Sequence, residues 1–455
     1  MGRIFLIGVI GAIAVLVVFG GGRIASLLKI ASGSTSQNVC SATFVSGLDA
    51  DRVYLEDVRG EPGMGLIAWA LNYNVDPNAH RVSTTIFGLF ATSSSFQEGY
   101  GCRLNFAGAV PLTGGARTAI ADPPVNDIAG ADLVAPSSPE LAKALDEAFL
   151  PAEAGQPKYT RAIVVVHNGR IVAERYGEGI DANTPLLSHS IAKSVTNALV
   201  GVLVREGKLQ PDRPLTGAAW EDQPTIDQML RMTSGLPLDE GIGPGLAQQM
   251  WFVERDGDAF ARATQLAAKP GTAWAYGNLG YTVLSRAVRD AVGGKPQSVA
   301  AFARQELFEP LGMRRALMEF DAAGTPMGGN AFYATARDWA RFGLLYLNDG
   351  VVNGRRILPE GWVAYSTRQT LDAGYGAGFW LNVTDAPMKV WPGARWGMPG
   401  APKDAFFARG YLGQYIVVVP SENLVVVRMG VTRARGGGIA GIGKLVQSVI
   451  AALRS

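Results

Sequence analysis

Ser190-Ile191-Ala192-Lys193-Ser194 runs directly into an apolar stretch, residues 195–204, and this serine with a lysine three positions on sets the reading of the whole chain. On a helix, side chains at i and i+3 share a face, so the Ser190 hydroxyl and the Lys193 amine come within hydrogen-bond reach. A serine hydroxyl must lose its proton as it attacks. A lysine can take that proton only where burial or a neighbouring cation lowers its pKa. Residues 195–204 supply such apolar surroundings. The tetrad alone is a weak pattern, because Ser26-Leu27-Leu28-Lys29 repeats it with no companion motif nearby. Taken by itself, Ser190 to Lys193 also reads as the polar first turn of a buried helix.

The flanking sequence gives the fold class. Residues 162–166 and 171–176 flank Asn168-Gly169, the strongest short-range hairpin signal. Residues 414–419 and 424–429 flank Pro420-Ser421-Glu422-Asn423, which predicts a second hairpin. Ser138-Pro139-Glu140 reads as a capped helix start leading into residues 141–149, and residues 442–453 read as a closing helix. Strands at both ends of residues 136–455, with mostly helical sequence between them, including residues 336–348, predict an α+β fold. Its expected form is an antiparallel β-sheet flanked by helices, with a helical insertion. Residues 32–135 form a separate region to which no function is assigned. Within it, the Ser/Thr/Gly-rich residues 32–38 read as a linker, and Ser93-Ser94-Ser95 and Thr113-Gly114-Gly115 read as turns between short strands.

At 455 residues and 48% hydrophobic composition the chain fills a sizeable core. Its formal net charge of +2, with no basic stripe interleaved with aromatics, argues against nucleic acid as a partner. Residues 4–19 are apolar and uncharged, between Arg3 and the glycines before Arg23. Residues 1–31 are therefore expected to hold an N-terminal transmembrane helix anchoring the chain in the inner membrane, with a cleaved signal as the alternative. Either way the catalytic domain is expected in the periplasm. Cys40 and Cys102 are too far apart for a redox or zinc motif. Outside the cytoplasm they are expected to form one disulfide, contributing about 4 kcal/mol in the chain-entropy picture. Two buried free thiols are the alternative.

Tyr276-Gly277-Asn278 lies in a loop-like stretch entering a helix, and a tyrosine near a serine–lysine pair can serve as a second proton carrier. The same Y-x-N spacing recurs at Tyr346-Leu347-Asn348, inside an amphipathic helical pattern. Rival layouts have less support: no G-x-S-x-G occurs, and His80, His167 and His189 have no metal-ligand spacing, so neither metal nor cofactor is expected. His189 adjoins Ser190, yet adjacent helical residues point about 100° apart, so it is expected at a pocket rim rather than as the base.

These residues resemble the serine beta-lactamase-related hydrolases, in the branch of class C beta-lactamases, penicillin-binding esterases and 6-aminohexanoate-dimer hydrolase. Ser188-His189-Ser190-Ile191-Ala192-Lys193-Ser194 is similar to the first motif of that family, and Tyr276-Gly277-Asn278 falls where its second belongs. Thr225-Ile226-Asp227-Gln228-Met229-Leu230-Arg231-Met232-Thr233-Ser234-Gly235-Leu236 is similar to a more specific signature between the two. Residues 336–343, Asn348-Asp349-Gly350 and Leu358-Pro359 resemble a later helix and loop. The resemblance spans about residue 136 to the C-terminus. It implies an active site between the sheet and the helical region, with Ser190 as acylated nucleophile, Lys193 as its base and Tyr276 passing the proton to the leaving group. Asn278 is implied to orient substrate and contact Lys193, and the N–H groups of Ser190 and Tyr411 to form the oxyanion hole.

The third motif of the family, Lys-Thr-Gly or His-x-Gly on a strand, should fall at Ala408-Arg409-Gly410, where alanine replaces the usual cation. Gly410 still permits close approach of substrate to the strand, and strand alternation points Arg409 to the opposite face from residue 408. The expectation is a hydrolase acting on a small-molecule ester or amide through an acyl-enzyme. Two alternatives stand beside it: a catalytically inactive binding protein on the same fold, and a cell-wall D-alanyl peptidase. The aromatics Trp274, Tyr375 and Trp380 are candidates either for substrate contact or for loop packing.

Overall fold

The computed structural model describes residues 21–114, 128–151, 158–217, 220–240, 244–388, 394–434 and 438–455. The expected membrane-spanning run, residues 4–19, lies outside them, as does Gly115. Among the described residues no helix is long and apolar enough to cross a membrane.

The first described element, helix α1 (Gly21–Phe44), corrects the linker expected at residues 32–38. The helix runs unbroken past the boundary drawn at residue 31, and Ser32, Thr35, Ser36, Gln37 and Ser41 are all buried in it. Hydroxyls normally compete with helix formation, but here each has a partner. Thr35 Oγ1 donates to the Ala31 carbonyl at 2.8 Å, Ser36 Oγ to Thr84 Oγ1 at 2.9 Å and Ser41 Oγ to Glu319 Oε1 at 2.7 Å. Composition read as a flexible linker is thus a polar packing face.

That face lies on a four-stranded antiparallel meander, β1 (Leu71–Asp76), β2 (Arg81–Ile86), β3 (Leu89–Gln97) and β4 (Gly101–Leu104). Ser93-Ser94-Ser95 sits in mid-strand rather than in the expected turn, with Ser94 buried and paired to both Val82 and Leu104. Cys40 and Cys102 form the expected disulfide, joining α1 to β4. Glu319 is one of the points at which this unit joins the rest of the chain, beside the ion pairs of Arg161 with Glu56 and Asp57 and of Arg433 with Glu61. The buried Glu319 carboxylate accepts from Gln37 Nε2 at 2.9 Å, Ser41 Oγ at 2.7 Å and the Cys102 N–H at 2.8 Å. Gly101 has φ +72°, and a Cβ there would come within 2.7 Å of the Glu319 side chain.

Helix α2 (Pro139–Phe149) begins as expected, with Ser138 capping the Leu141 N–H at 3.1 Å. Strands β5 (Lys158–His167) and β6 (Arg170–Tyr176) then form the predicted hairpin, its Asn168-Gly169 turn at φ +51° and +78°. The remaining strands of this sheet come from the far end of the chain: the short β7 (Trp380–Leu381), then β8 (Phe406–Gly410), β9 (Gln414–Val419) and β10 (Leu424–Thr432). They assemble an antiparallel six-stranded sheet in the order β7-β8-β9-β10-β5-β6. The two chain-distant ends meet where Val427 pairs with Val164. Every residue of β10 is buried, so both faces of the sheet are covered. The valine-rich runs that looked like strands therefore form the core. Helix α3 (Ile191–Arg205), buried from Ile191 to Leu203, and helix α4 (Ala336–Leu347) pack on the sheet, and α5 (Ile439–Arg454) closes the chain against α2. This is the α+β arrangement that the sequence predicts.

Candidate active site

Ser190 owes its position to a strained entry into α3. The short strand Leu186–Leu187 pairs with Phe332–Ala334, the Ser188 N–H donates to the Phe332 carbonyl at 2.9 Å, and His189 then adopts φ +46°. Ser190 follows as the residue preceding the first turn of α3, where the partial positive charge of a helix N-terminus favours developing negative charge. One turn on, Lys193 is 1% exposed, and its Nζ lies 2.8 Å from Ser190 Oγ, 2.6 Å from Asn278 Oδ1 and 2.9 Å from the Gly329 carbonyl oxygen. The i, i+3 geometry read from the sequence is realised. Burial disfavours the ammonium and lowers the Lys193 pKa to about 8, against the opposing pull of Glu240 and Asp239.

The second motif arrives on a loop secured by the signature segment. Thr225 and Gln228 form a capping box on helix Ile226–Leu230, Tyr281 Oη donates to the Leu230 carbonyl at 2.9 Å, and the Ala275 N–H donates to that of Met232 at 2.9 Å. Gly235, at φ +85°, could carry no side chain, since a Cβ would sit 2.2 Å from the Ala268 carbonyl oxygen. The loop brings the buried Tyr276 into a hydrogen bond with Ser190, and Lys193 Nζ lies 4.8 Å from the centre of its ring. Burial drives the Tyr276 pKa well above 10, assisted by the charge of Glu240, while the Ser190 hydrogen bond and the charge of Arg409 act the other way.

Two carboxylates absent from the sequence reading complete the site. Asp239 Oδ2 accepts the backbone N–H groups of Asn278 and Leu279 at 2.7 and 2.9 Å, at the N-terminus of helix Leu279–Ala291. Asn278 Nδ2 donates to Asp239 Oδ1 at 3.1 Å and to Glu240 Oε1 at 2.7 Å. With its amide nitrogen held by two acids, Asn278 must turn its oxygen to Lys193. Burial, then the charge of Glu240, raises the Asp239 pKa to about 6. Only loop position relative to the signature links Leu238-Asp239-Glu240 to the motifs, and no residue-type pattern marks it.

At the third motif, Gly410 ends β8 where a Cβ would stand 2.2 Å from the Ser188 carbonyl oxygen, so glycine is what lets the strand approach the Ser190 segment. Ala408 is buried opposite Ile416 and supplies no charge. Arg409 is closer to the site than strand alternation suggested. Its guanidinium carbon lies 5.1 Å from the Trp380 ring centre, and its charge acts on Tyr276. The Tyr411 ring meets the His189 ring edge-on at 5.7 Å, and Tyr411 Oη donates to Glu61 Oε2 at 3.1 Å.

His189 bonds Asn330 Oδ1 through Nδ1 at 3.2 Å, and burial lowers its pKa to about 4, which keeps the ring neutral at the rim, as expected. Trp274, Tyr375 and Trp380 pack around Tyr276 at ring distances of 6.1, 6.0 and 5.3 Å. A cavity of about 420 Å³ opens on Ser190, with His189, Glu240 and Tyr411 on its wall. Trp274, Tyr375 and Trp380 do not line it, so they act as packing around Tyr276. Among the described residues no cluster of His, Cys, Asp or Glu could hold a metal ion.

Comparison with known proteins bears on this geometry. The profile of the Beta-lactamase family matches residues 155–435. The 6-aminohexanoate-dimer hydrolase of Paenarthrobacter ureafaciens is 27% identical over 313 residues, covering 63% of this chain and 76% of that protein. A solved structure from Bacillus anthracis, provisionally named as a 6-aminohexanoate-dimer hydrolase, superposes with a TM-score of 0.54 at 22% identity, covering 65% of this chain and 80% of its own. A family VIII carboxylesterase superposes at 0.53 and 16% identity, covering 70% and 99%. The profile match extends over more than half of the chain and contains the Ser190, Lys193 and Tyr276 cluster, and the protein therefore belongs to the beta-lactamase family of serine hydrolases.

Proposed function

We propose that the protein cleaves an ester or amide of a small molecule through an acyl-enzyme formed on Ser190. The observation that carries this reading is the 2.8 Å approach of Lys193 Nζ to Ser190 Oγ at a site where burial holds the lysine pKa at about 8. In its neutral form Lys193 takes the Ser190 proton as Oγ attacks the carbonyl carbon. The resulting oxyanion is held by the N–H groups of Ser190 and Tyr411. As the tetrahedral intermediate collapses, Tyr276 protonates the leaving oxygen or nitrogen and is resupplied from Lys193. Water then attacks the acyl-serine, giving its proton to the same pair, and the acid is released with Ser190 restored. Asn278 keeps Lys193 aimed at Ser190.

Ala408 favours substrates without a carboxylate to anchor, and hence an ester or amide over a beta-lactam or a D-alanyl peptide. The Paenarthrobacter relative is named for hydrolysis of the 6-aminohexanoate dimer, a linear amide, which supports an amide as substrate; the free carboxylate of that dimer would find no cation at Ala408 here. We place the catalytic domain in the periplasm, tethered by residues 4–19. The disulfide between Cys40 and Cys102 supports an oxidising compartment. Ser190→Ala should abolish both turnover of a chromogenic short-chain ester and covalent labelling by a fluorophosphonate. Labelling that survives in the alanine variant would remove Ser190 as nucleophile.

A further inference from the structure

We infer that the cavity on Ser190 is an acyl-chain pocket whose outer wall is the N-terminal unit, and that the substrate is an ester or amide carrying an aliphatic acyl group. This rests on Ser190 being the nucleophile. Residues 24, 27, 28, 31, 34 and 38 line the cavity at the spacing of one face of α1, apolar at the start of the helix and polar only from Ser34 onward. Met64, Leu66 and Ile67 of the short helix Met64–Ile67 add a second apolar wall. All of these residues precede residue 155, outside the segment that matches the family, so this chain adds its own specificity surface to a shared catalytic core.

Two further observations select the occupant. The residues lining the cavity include Asp57, Glu61 and Glu240 but, among the described residues, no lysine or arginine; Asp57 and Glu61 already engage Arg161 and Arg433, so the lining itself offers a carboxylate-bearing acyl group no cation to pair with. The mouth is open and apolar: Leu66 is 81% exposed and Ile24 51%, and the Trp69 ring beside them stacks edge-on against Phe87 at 5.2 Å. A pocket of about 420 Å³ lies within the range of small-molecule sites, roughly 300–1,000 Å³. An apolar chain threaded from Ser190 towards α1 would fill it.

The test is kcat/KM for 4-nitrophenyl esters of increasing chain length, acetate through decanoate, below their aggregation concentrations. Each methylene buried in the pocket should raise kcat/KM by about fourfold until the pocket is full. Ala31→Trp, which fills the pocket, and Leu27→Glu, which charges its partly exposed wall, should each collapse the decanoate-to-acetate ratio. Because the readout is a ratio within one variant, a general loss of activity does not imitate it. A flat or falling chain-length profile in the wild type, or a ratio unchanged in both variants, overturns the pocket assignment while leaving acetate turnover and fluorophosphonate labelling intact. Absence of turnover and of labelling with every ester overturns the Ser190 reading, and this one with it.

Discussion

Glu240→Gln isolates the electrostatics on which the proposed base depends. Glu240 Oε1 lies 3.8 Å from Lys193 Nζ, with the lysine side chain 1% and the glutamate side chain 28% exposed. Two unit charges about 4 Å apart attract by about 4 kcal/mol at an effective dielectric near 20, the equivalent of about 3 pKa units. Solvent at the exposed side of Glu240 reduces this, and an opposite charge at such distances is worth about 1–2 units in practice. The sign follows from the role: the amine works when neutral, so activity should rise as pH climbs through the Lys193 pKa. Removing a negative neighbour destabilises the ammonium and moves that rise to lower pH. With a pKa of about 8, about one lysine in ten is neutral at about pH 7. In Glu240→Gln at least about half should be, so kcat/KM at that pH should rise by about three- to fivefold, and fall below wild type above about pH 9, where the weaker base is a disadvantage. Glutamine retains an oxygen to accept from Asn278 Nδ2, so the geometry around Lys193 is kept. The assay is kcat/KM for a soluble chromogenic ester between about pH 6 and about pH 10. An ascending limb that stays in place, or moves to higher pH, would refute Lys193 as the base.

Other parts of the account yield their own measurements. Gly410→Ala should lower kcat by about a hundredfold with the circular-dichroism spectrum retained, because a Cβ 2.2 Å from the Ser188 carbonyl oxygen must displace the strand or the Ser190 segment. Wild-type turnover in that variant would mean the approach of β8 is not needed. Replacing Cys40 and Cys102 by alanine should cost about 4 kcal/mol, for a loop of 62 residues' separation, read as a lowered Tm that reductant reproduces in the wild type. A Tm unmoved by either treatment would show that the disulfide adds nothing to stability.

The features that were legible in the sequence are those whose physics is local. Ser190 and Lys193 meet because i, i+3 spacing on a helix leaves them no other choice, and Asn168-Gly169 turns because those two residues accept positive φ. The expected pairing of Cys40 with Cys102 also held. Hidden features depend on distant partners. Residues 32–38 have linker composition, yet form helix because Thr84 and Glu319, far along the chain, receive the Ser36 hydroxyl and the Gln37 amide. Ser93 to Ser95 look like a turn, and lie in a strand whose Thr92 and Ser94 meet the polar face of α1 while Ser93 and Ser95, on the other face, accept from Asn105. Asp239 and Glu240 could not be singled out, since their importance lies in reaching Asn278 across 39 and 38 positions. Arg409 was read from strand alternation as facing away, and Trp380 on the neighbouring short strand brings its charge back towards Tyr276.

The central claim, that Ser190 carries the acyl group, is tested most directly by mapping the adduct itself. The protein would be mixed with an activated ester, quenched in acid within the turnover time, digested with trypsin and analysed by tandem mass spectrometry. The account predicts the acyl mass on the tryptic peptide spanning residues 176–193, localised to Ser190 and absent from Ser190→Ala. An adduct on any other residue, or steady turnover with no trapped acyl-enzyme under conditions that trap one in a family VIII carboxylesterase, would contradict it.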